Sequence, residues 1–391
     1  MGTFYTSIKN YIKINGNKPI EDKLDKKNIK PYFKEKIILS TEYNYGEFRF
    51  FGWIFSEPAK LSTYDIYKLN KINDSFYLAF LNNKIIKILK YDFINKTTTE
   101  KAIINHFPKK IKYFFDQIQN KEYLFILTQK NGLELFLIKN DIEYEEEKIY
   151  KNTKLGSPLE LHDFDIIYDK YNKINCLILS YTFYECSGVR RGRIIYIFKF
   201  ANNEITKINK YKASDWPHLN NKRQKLLLIW ENKLSKRFYL ITSHYLKLKF
   251  MEISDNTYEY ISDFEIVQSE HLNKYKFHFF GCILYNKNNT DYLYICNDID
   301  VLKIIDLYKK QIIREIEIMK NLTSIIKLNN KYIIISTTKS IYTFDTNTNQ
   351  LINKNLINPN GEIISIKAIN IDKLNQFYLS YDTNDGKIVI M

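Results

Sequence analysis

The chain of 391 residues is short of several residue types that mark whole classes of protein. Its 11 glycines and 7 prolines are too few for a collagen-like chain or a flexible linker. Its four cysteines, Cys176, Cys186, Cys282 and Cys296, include no C-x-x-C pair. In a chain of this length they make no disulfide framework, and a reducing compartment, the cytosol or nucleus, is expected. No apolar run approaches the roughly 20 residues that span a bilayer. The first residues, MGTFYTSIKNYIKING, lack the apolar core of a secretory signal. There is no Walker-type loop, no G-x-S-x-G and no H-E-x-x-H. The six histidines, at 106, 162, 218, 244, 271 and 278, show no ligand-pair spacing. The chain is therefore read as a non-enzyme, with no metal, cofactor or small-molecule substrate inferred.

What is present is aromatic and basic. Apolar residues make up 45% of the chain, which excludes a disordered polymer. The 32 tyrosines and 26 phenylalanines supply most of the 16% aromatic content. The net charge is +15, from 59 basic and 44 acidic side chains. Lys, Asn, Ile, Tyr and Phe, all with A/T-rich codons, are in excess together, so base composition accounts for part of that charge. Residues 1–36 are the dense exception, with nine lysines against Glu21, Asp22, Asp25 and Glu35. They read as a basic N-terminal extension ahead of a single domain over 37–391.

From residue 37 onward, apolar runs of 5–8 residues rich in Tyr, Ile, Phe and Thr alternate with polar turns, which is the pattern of an all-β chain. One unit recurs: a strand, a short polar turn and a second strand. It falls at 75–94, 122–141, 176–203, 237–256, 292–311, 331–350 and 377–391. The recurrence of about 50 residues is that of a four-stranded propeller blade. Proline cannot donate to a ladder. Pro58, Pro108, Pro158, Pro217 and Pro359 all fall just ahead of an expected first strand. Seven hairpins predict a seven-bladed β-propeller. The chain ends on a third strand, so the ring is expected to be closed by an N-terminal strand, either KIILST at 36–41 or FRFFGWIF at 48–55.

The segments VLKIIDLYKKQIIREI at 301–316 and SIYTFDTNTNQLI at 340–352 resemble the end of a WD40 blade. Ile305-Asp306 and Phe344-Asp345 stand where that family places an aromatic-Asp pair before its outer strand. The resemblance implies a WD40-like propeller, whose usual role is to hold protein partners in a multi-subunit complex. None of Trp53, Trp216 and Trp230 is followed by Asp, and no Gly-His pair precedes a blade.

Candidate partner-binding residues lie in two long loops, 184–192 and 211–221. Arg190 and Arg191 suit carboxylate or phosphate groups, and Trp216 and His218 flank Pro217. Val189-Arg190-Arg191-Gly192 also resembles the Arg-Arg-Gly signature of phosphoinositide-binding propellers. Gly2, with Thr6 behind it, fits the N-myristoylation template, and Lys9, Lys13 and Lys18 would provide the second, basic membrane signal. Glu143, Glu145, Glu146 and Glu147 read as an acidic solvated turn. The expected function is a protein-interaction scaffold. The alternatives are a peripheral membrane or phosphoinositide-binding propeller and an RNA-associated subunit, both using the basic extension.

Overall fold

The computed structural model describes residues 13–14, 18–19, 37–40, 47–50, 53–56, 64–70, 72, 75–82, 85–92, 94–95, 97–104, 108–128, 132–140, 143–147, 159–184, 191–214, 227–244, 247–253, 260–265, 279–287, 289–297, 301–317, 322–329, 331–356, 361–371, 376–383 and 387–390. Their regular structure is all β. Near the N-terminus lie a two-stranded ladder, β1 (Lys13–Ile14) with β2 (Lys18–Pro19), then strand β3 (Ile37–Ser40), and a hairpin of β4 (Glu47–Phe50) and β5 (Trp53–Ser56).

Six four-stranded sheets follow, each made of four consecutive strands. The first blade is β6 (Tyr64–Tyr67), β7 (Ser75–Asn82), β8 (Ile85–Asp92) and β9 (Thr98–Ile104). The second is β10 (Pro108–Asp116), β11 (Lys121–Thr128), β12 (Leu133–Asn140) and β13 (Glu143–Glu147). The third is β14 (Leu159–Asp169), β15 (Ile174–Tyr184), β16 (Arg191–Ala201) and β17 (Glu204–Ser214). The fourth is β18 (Leu227–Asn232), β19 (Arg237–His244), β20 (Lys247–Glu252) and β21 (Tyr260–Glu265). The fifth is β22 (Phe279–Lys287), β23 (Thr290–Asn297), β24 (Val301–Asp306) and β25 (Gln311–Glu317). The sixth is β26 (Leu322–Lys327), β27 (Tyr332–Thr337), β28 (Ser340–Asp345) and β29 (Gln350–Leu356). Neighbouring strands in these blades pair antiparallel.

The expectation of seven blades is corrected here to six. The last hairpin, β31 (Gln376–Thr383) with β32 (Lys387–Ile390), follows β30 (Ile363–Ile371), and the fourth strand beside it is not a consecutive one. Its sheet is a composite in the order β3-β32-β31-β30, with Ile37 opposite Ile390 and Ser40 opposite Lys387. Counting hairpins in the sequence gives equal weight to this composite and to blades made of consecutive strands. Two further expectations change. The run 143–147 is the outer strand β13 rather than a turn, and 211–214 still belongs to the outer strand β17.

The chain divides into two compact units, residues 44–278 and residues 1–43 with 279–391. In the 44–278 unit the packing shows why the apolar runs are continuous. On β11, Tyr123, Phe125 and Leu127 join Phe164, Leu177 and Phe198 of the third blade in one core. The alternate residues Leu124 and Ile126 join Tyr77, Ile86 and Ile88 of the first blade in another. A strand buried on both faces has no polar face to alternate with. A third core sets Ile178 and Ile195 against Leu240 and Met251 of the fourth blade.

The other unit repeats the device. On β27, Ile333 and Ile335 pack with Tyr294 and Ile304 of the fifth blade. Ile334, between them, packs with Ile366 and Tyr381 of the composite sheet.

Chain removed through residue 41 takes β3 from the composite sheet and leaves β32 as a bare edge. The melting temperature is expected to fall by about 5 °C or more. Removal through residue 30 is expected to leave it within about 1 °C. Differential scanning calorimetry of the two truncations checks this, and equal values would refute the role given to β3.

Candidate functional site

Within the 44–278 unit, the first strands β6, β10 and β14 pack side by side and carry Asp65, Lys110, Lys112, Asp163 and Asp165. Lys110 and Lys112 stand two residues apart on β10, and Asp163 and Asp165 two apart on β14. Strand periodicity therefore puts each pair on one face. The Lys110 ammonium lies 2.7 Å from Asp163 Oδ1 and donates to the Phe164 carbonyl at 2.7 Å, above the Phe164 ring. Lys112 pairs with Asp165. The aspartates are further fixed by backbone donors: Phe164 N–H to Asp163 at 2.9 Å and Ile166 N–H to Asp165 at 2.7 Å. On the other side of β10, Tyr113 N–H reaches Asp65 of β6 at 3.4 Å. Burial alone would pull the Lys110 ammonium down. Asp163, Asp165 and Asp65 outweigh it, so its pKa is raised.

Next to this ladder, Tyr67 stacks between Tyr77 and Tyr113 at centroid distances of 5.6 and 5.1 Å. Glu122 accepts from the Tyr113 hydroxyl at 3.1 Å and from Asn70 N–H at 2.5 Å. Burial, and then Glu122, push the Tyr113 phenol up. Lys68, Leu69, Asn70, Tyr113 and Phe115 line a shallow depression of about 210 Å³ here. That is below the usual size of a small-molecule pocket. Among the described residues no three His, Cys, Asp or Glu side chains gather as a metal-binding group. This arrangement is a polar seam between blades.

Tight turns shape one edge of each blade. Asp92, Asp116, Asp169, Asn232, Asp306 and Asp345 each end a strand and accept from the backbone N–H groups two and three residues on, at 2.7–3.3 Å. This is the Asx turn. In five of them a left-handed residue closes the turn: Asn120, Lys173, Lys236, Lys310 and Asn349, with φ of 54°, 54°, 55°, 52° and 54°. Asp306 and Asp345 are the two aspartates that carry the WD40 resemblance. Here they act as turn caps at the ends of β24 and β28.

Of the residues singled out from sequence, Arg191 opens β16 opposite Tyr184. Gly2, Arg190, Trp216 and His218 lie outside the described residues. The Lys110–Asp163 and Lys112–Asp165 pairs were missed. A signal was present: K-x-K and D-x-D are separated by 53 residues, close to the blade recurrence.

No protein-family model matches the sequence, and no curated protein matches it. Solved structures do. The chain is similar to a crystal structure of BBS1N in complex with ARL6DN, soaked with mercury, at 10% identity and a TM-score of 0.54, over 84% of this chain and 90% of that one. A second crystal of BBS1N in complex with ARL6DN, soaked with lead, matches at 12% identity and a TM-score of 0.54, over 84% and 92%. The likeness shows the fold, which is an all-β β-propeller.

Two outcomes are expected. Lys110→Met leaves Asp163 without its ammonium and costs about 1–3 kcal/mol, the pair being only partly exposed. Asp163→Asn in the same background adds little, and a double-mutant cycle from urea unfolding reads the coupling. Because the Lys110 pKa is raised on folding, its contribution is present at neutral pH and is lost only as pH rises through the raised, alkaline value. Separately, Lys236→Gly relieves a left-handed side chain and is expected to raise stability by about 0.5–1 kcal/mol in the same assay.

Proposed function

We propose that this chain is a non-catalytic β-propeller that holds protein partners within a larger assembly. The observation that carries the reading is the likeness to BBS1N, a chain of the same fold that was crystallised in complex with another protein, ARL6DN. The seams between blades support it. Charged and aromatic groups there are committed to one another, which suits a rigid platform better than a reacting site. Rigid surfaces bind with little ordering cost.

In this reading the propeller starts at residue 37, and residues 1–36 form a basic extension outside it. The loops that hold Arg190, Arg191, Trp216 and His218 are the partner-facing candidates, since Arg and Trp dominate interface hot spots.

The test is native mass spectrometry of the full tagged chain purified from its own source at low salt. The expected result is a particle containing the chain with other proteins in fixed stoichiometry. A lone chain under those conditions would overturn the reading. Arg190→Ala with Trp216→Ala is expected to lower the yield of partner about thirtyfold, the size of a hot-spot loss.

A further inference from the structure

Ile94, Ile118 and Leu234 are large apolar side chains left at the surface, with exposures of 74%, 52% and 77%. All three belong to the 44–278 unit. Single exposed aliphatics are ordinary on a protein surface. These three share one position: each follows its capping Asp92, Asp116 or Asn232 by two residues. The cap works through backbone N–H groups and requires nothing of that side chain. Where the same position holds tyrosine the side chain has a partner, as with Tyr171 on Glu231 and Tyr308 on Asp291. The three aliphatics point to solvent instead.

The turns share one face of this unit. In an antiparallel blade of four consecutive strands, the first-to-second and third-to-fourth turns lie at the same edge. Bonds between blades align those edges. Asn70, just beyond β6, donates to Glu122 at the start of β11. Tyr123 donates to Asn203 in the turn between β16 and β17 at 3.1 Å. Tyr171, in the turn between β14 and β15, donates to Glu231 of β18 at 2.6 Å. The same face carries exposed Lys170, Lys173, Lys233 and Lys236. Glu231 neutralises one of them, Lys170. The carboxylates of Asp92, Asp116 and Asp169 are held by their own turns.

We propose that this face docks on an anionic lipid surface. Ile94, Ile118 and Leu234 enter the interfacial layer, and the lysines meet lipid phosphates and carboxylates. Separate knobs on three blades favour a bilayer over a folded partner. A protein interface needs a contiguous desolvated centre, whereas a fluid interface accepts each knob independently and the net positive charge matches anionic headgroups. The face lies at the blade edge opposite Arg191, which opens β16.

The test is flotation of the full chain, made without acylation, with vesicles of phosphatidylcholine alone and with an equal-parts mixture of phosphatidylcholine and phosphatidylserine. The wild type is expected to float with the mixed vesicles only, and less at high salt. Ile94→Ser/Ile118→Ser/Leu234→Ser is expected to weaken binding at least about tenfold. Lys173→Glu/Lys233→Glu/Lys236→Glu is expected to do the same, at unchanged melting temperature. The lysines of residues 1–36 are present in every sample. Variants that float like the wild type would therefore assign binding to those residues and overturn the proposal. A wild type that ignores the mixed vesicles overturns it as well and leaves an acidic protein as the partner for this face.

Discussion

The rest of the structure depends on a tyrosine hydroxyl finding a partner across a blade junction. A blade is a thin sheet that buries both faces, so its inner strands must be apolar on both sides. Phenylalanine and isoleucine can fill that space, but neither fixes how one blade sits on the next. A buried phenol can, because leaving it unpaired costs about 1–3 kcal/mol. Tyr67 meets Tyr144 between the first and second blades at 3.0 Å. Tyr123 meets Asn203 between the second and third, and Tyr171 meets Glu231 between the third and fourth. Between the fifth and sixth, the Tyr285 and Thr346 hydroxyls bond each other at 2.8 Å, and the Thr346 hydroxyl donates to the Lys331 carbonyl. Each bond carries a ring contact beside it, such as Tyr123 edge-on to Phe200 at 5.6 Å. The tyrosine excess thus has a mechanical use that composition alone does not disclose.

These bonds also bear on the resemblance to WD40 blades. Here Asp306 and Asp345 turn their carboxylates to the backbone of their own turns. The work of joining blades passes to phenols and to the lysine–aspartate ladder between β10 and β14.

How far the sequence could be read follows from which strands have two buried faces. The second and third strands of each blade do, and their hairpins stand out as unbroken apolar runs. The outer strands do not. Glu143–Glu147 has only exposed and half-buried residues and contains one aromatic, so it looked like a turn. Gln311–Glu317 has no buried residue at all. The seventh hairpin misled because a hairpin looks the same in sequence whether its sheet is made of four consecutive strands or, as here, is completed by β3. The ladder was hidden differently. Lysine is scattered through nearly every segment, and only a partner 53 residues away sets Lys110 apart from the rest.

That partner changes what the net charge of +15 means. Lys110 and Lys112 are neutralised by Asp163 and Asp165, while Lys303 is buried against Glu315 at 2.5 Å. None of these contributes a free positive charge at the surface. Lys173 and Lys236 differ, since both are exposed at left-handed positions that glycine or asparagine would occupy at lower cost. A turn requires only a residue that tolerates the conformation. A lysine there is backbone strain accepted on a surface where the side chain contributes nothing to the core. Leu234 sits in the same turn as Lys236, and Ile94 and Ile118 take the equivalent position in the turns of two other blades, so apolar tips and strained lysines are two unforced choices made on one face. Folding explains neither, and that is the physical ground for reading the face as an interaction surface.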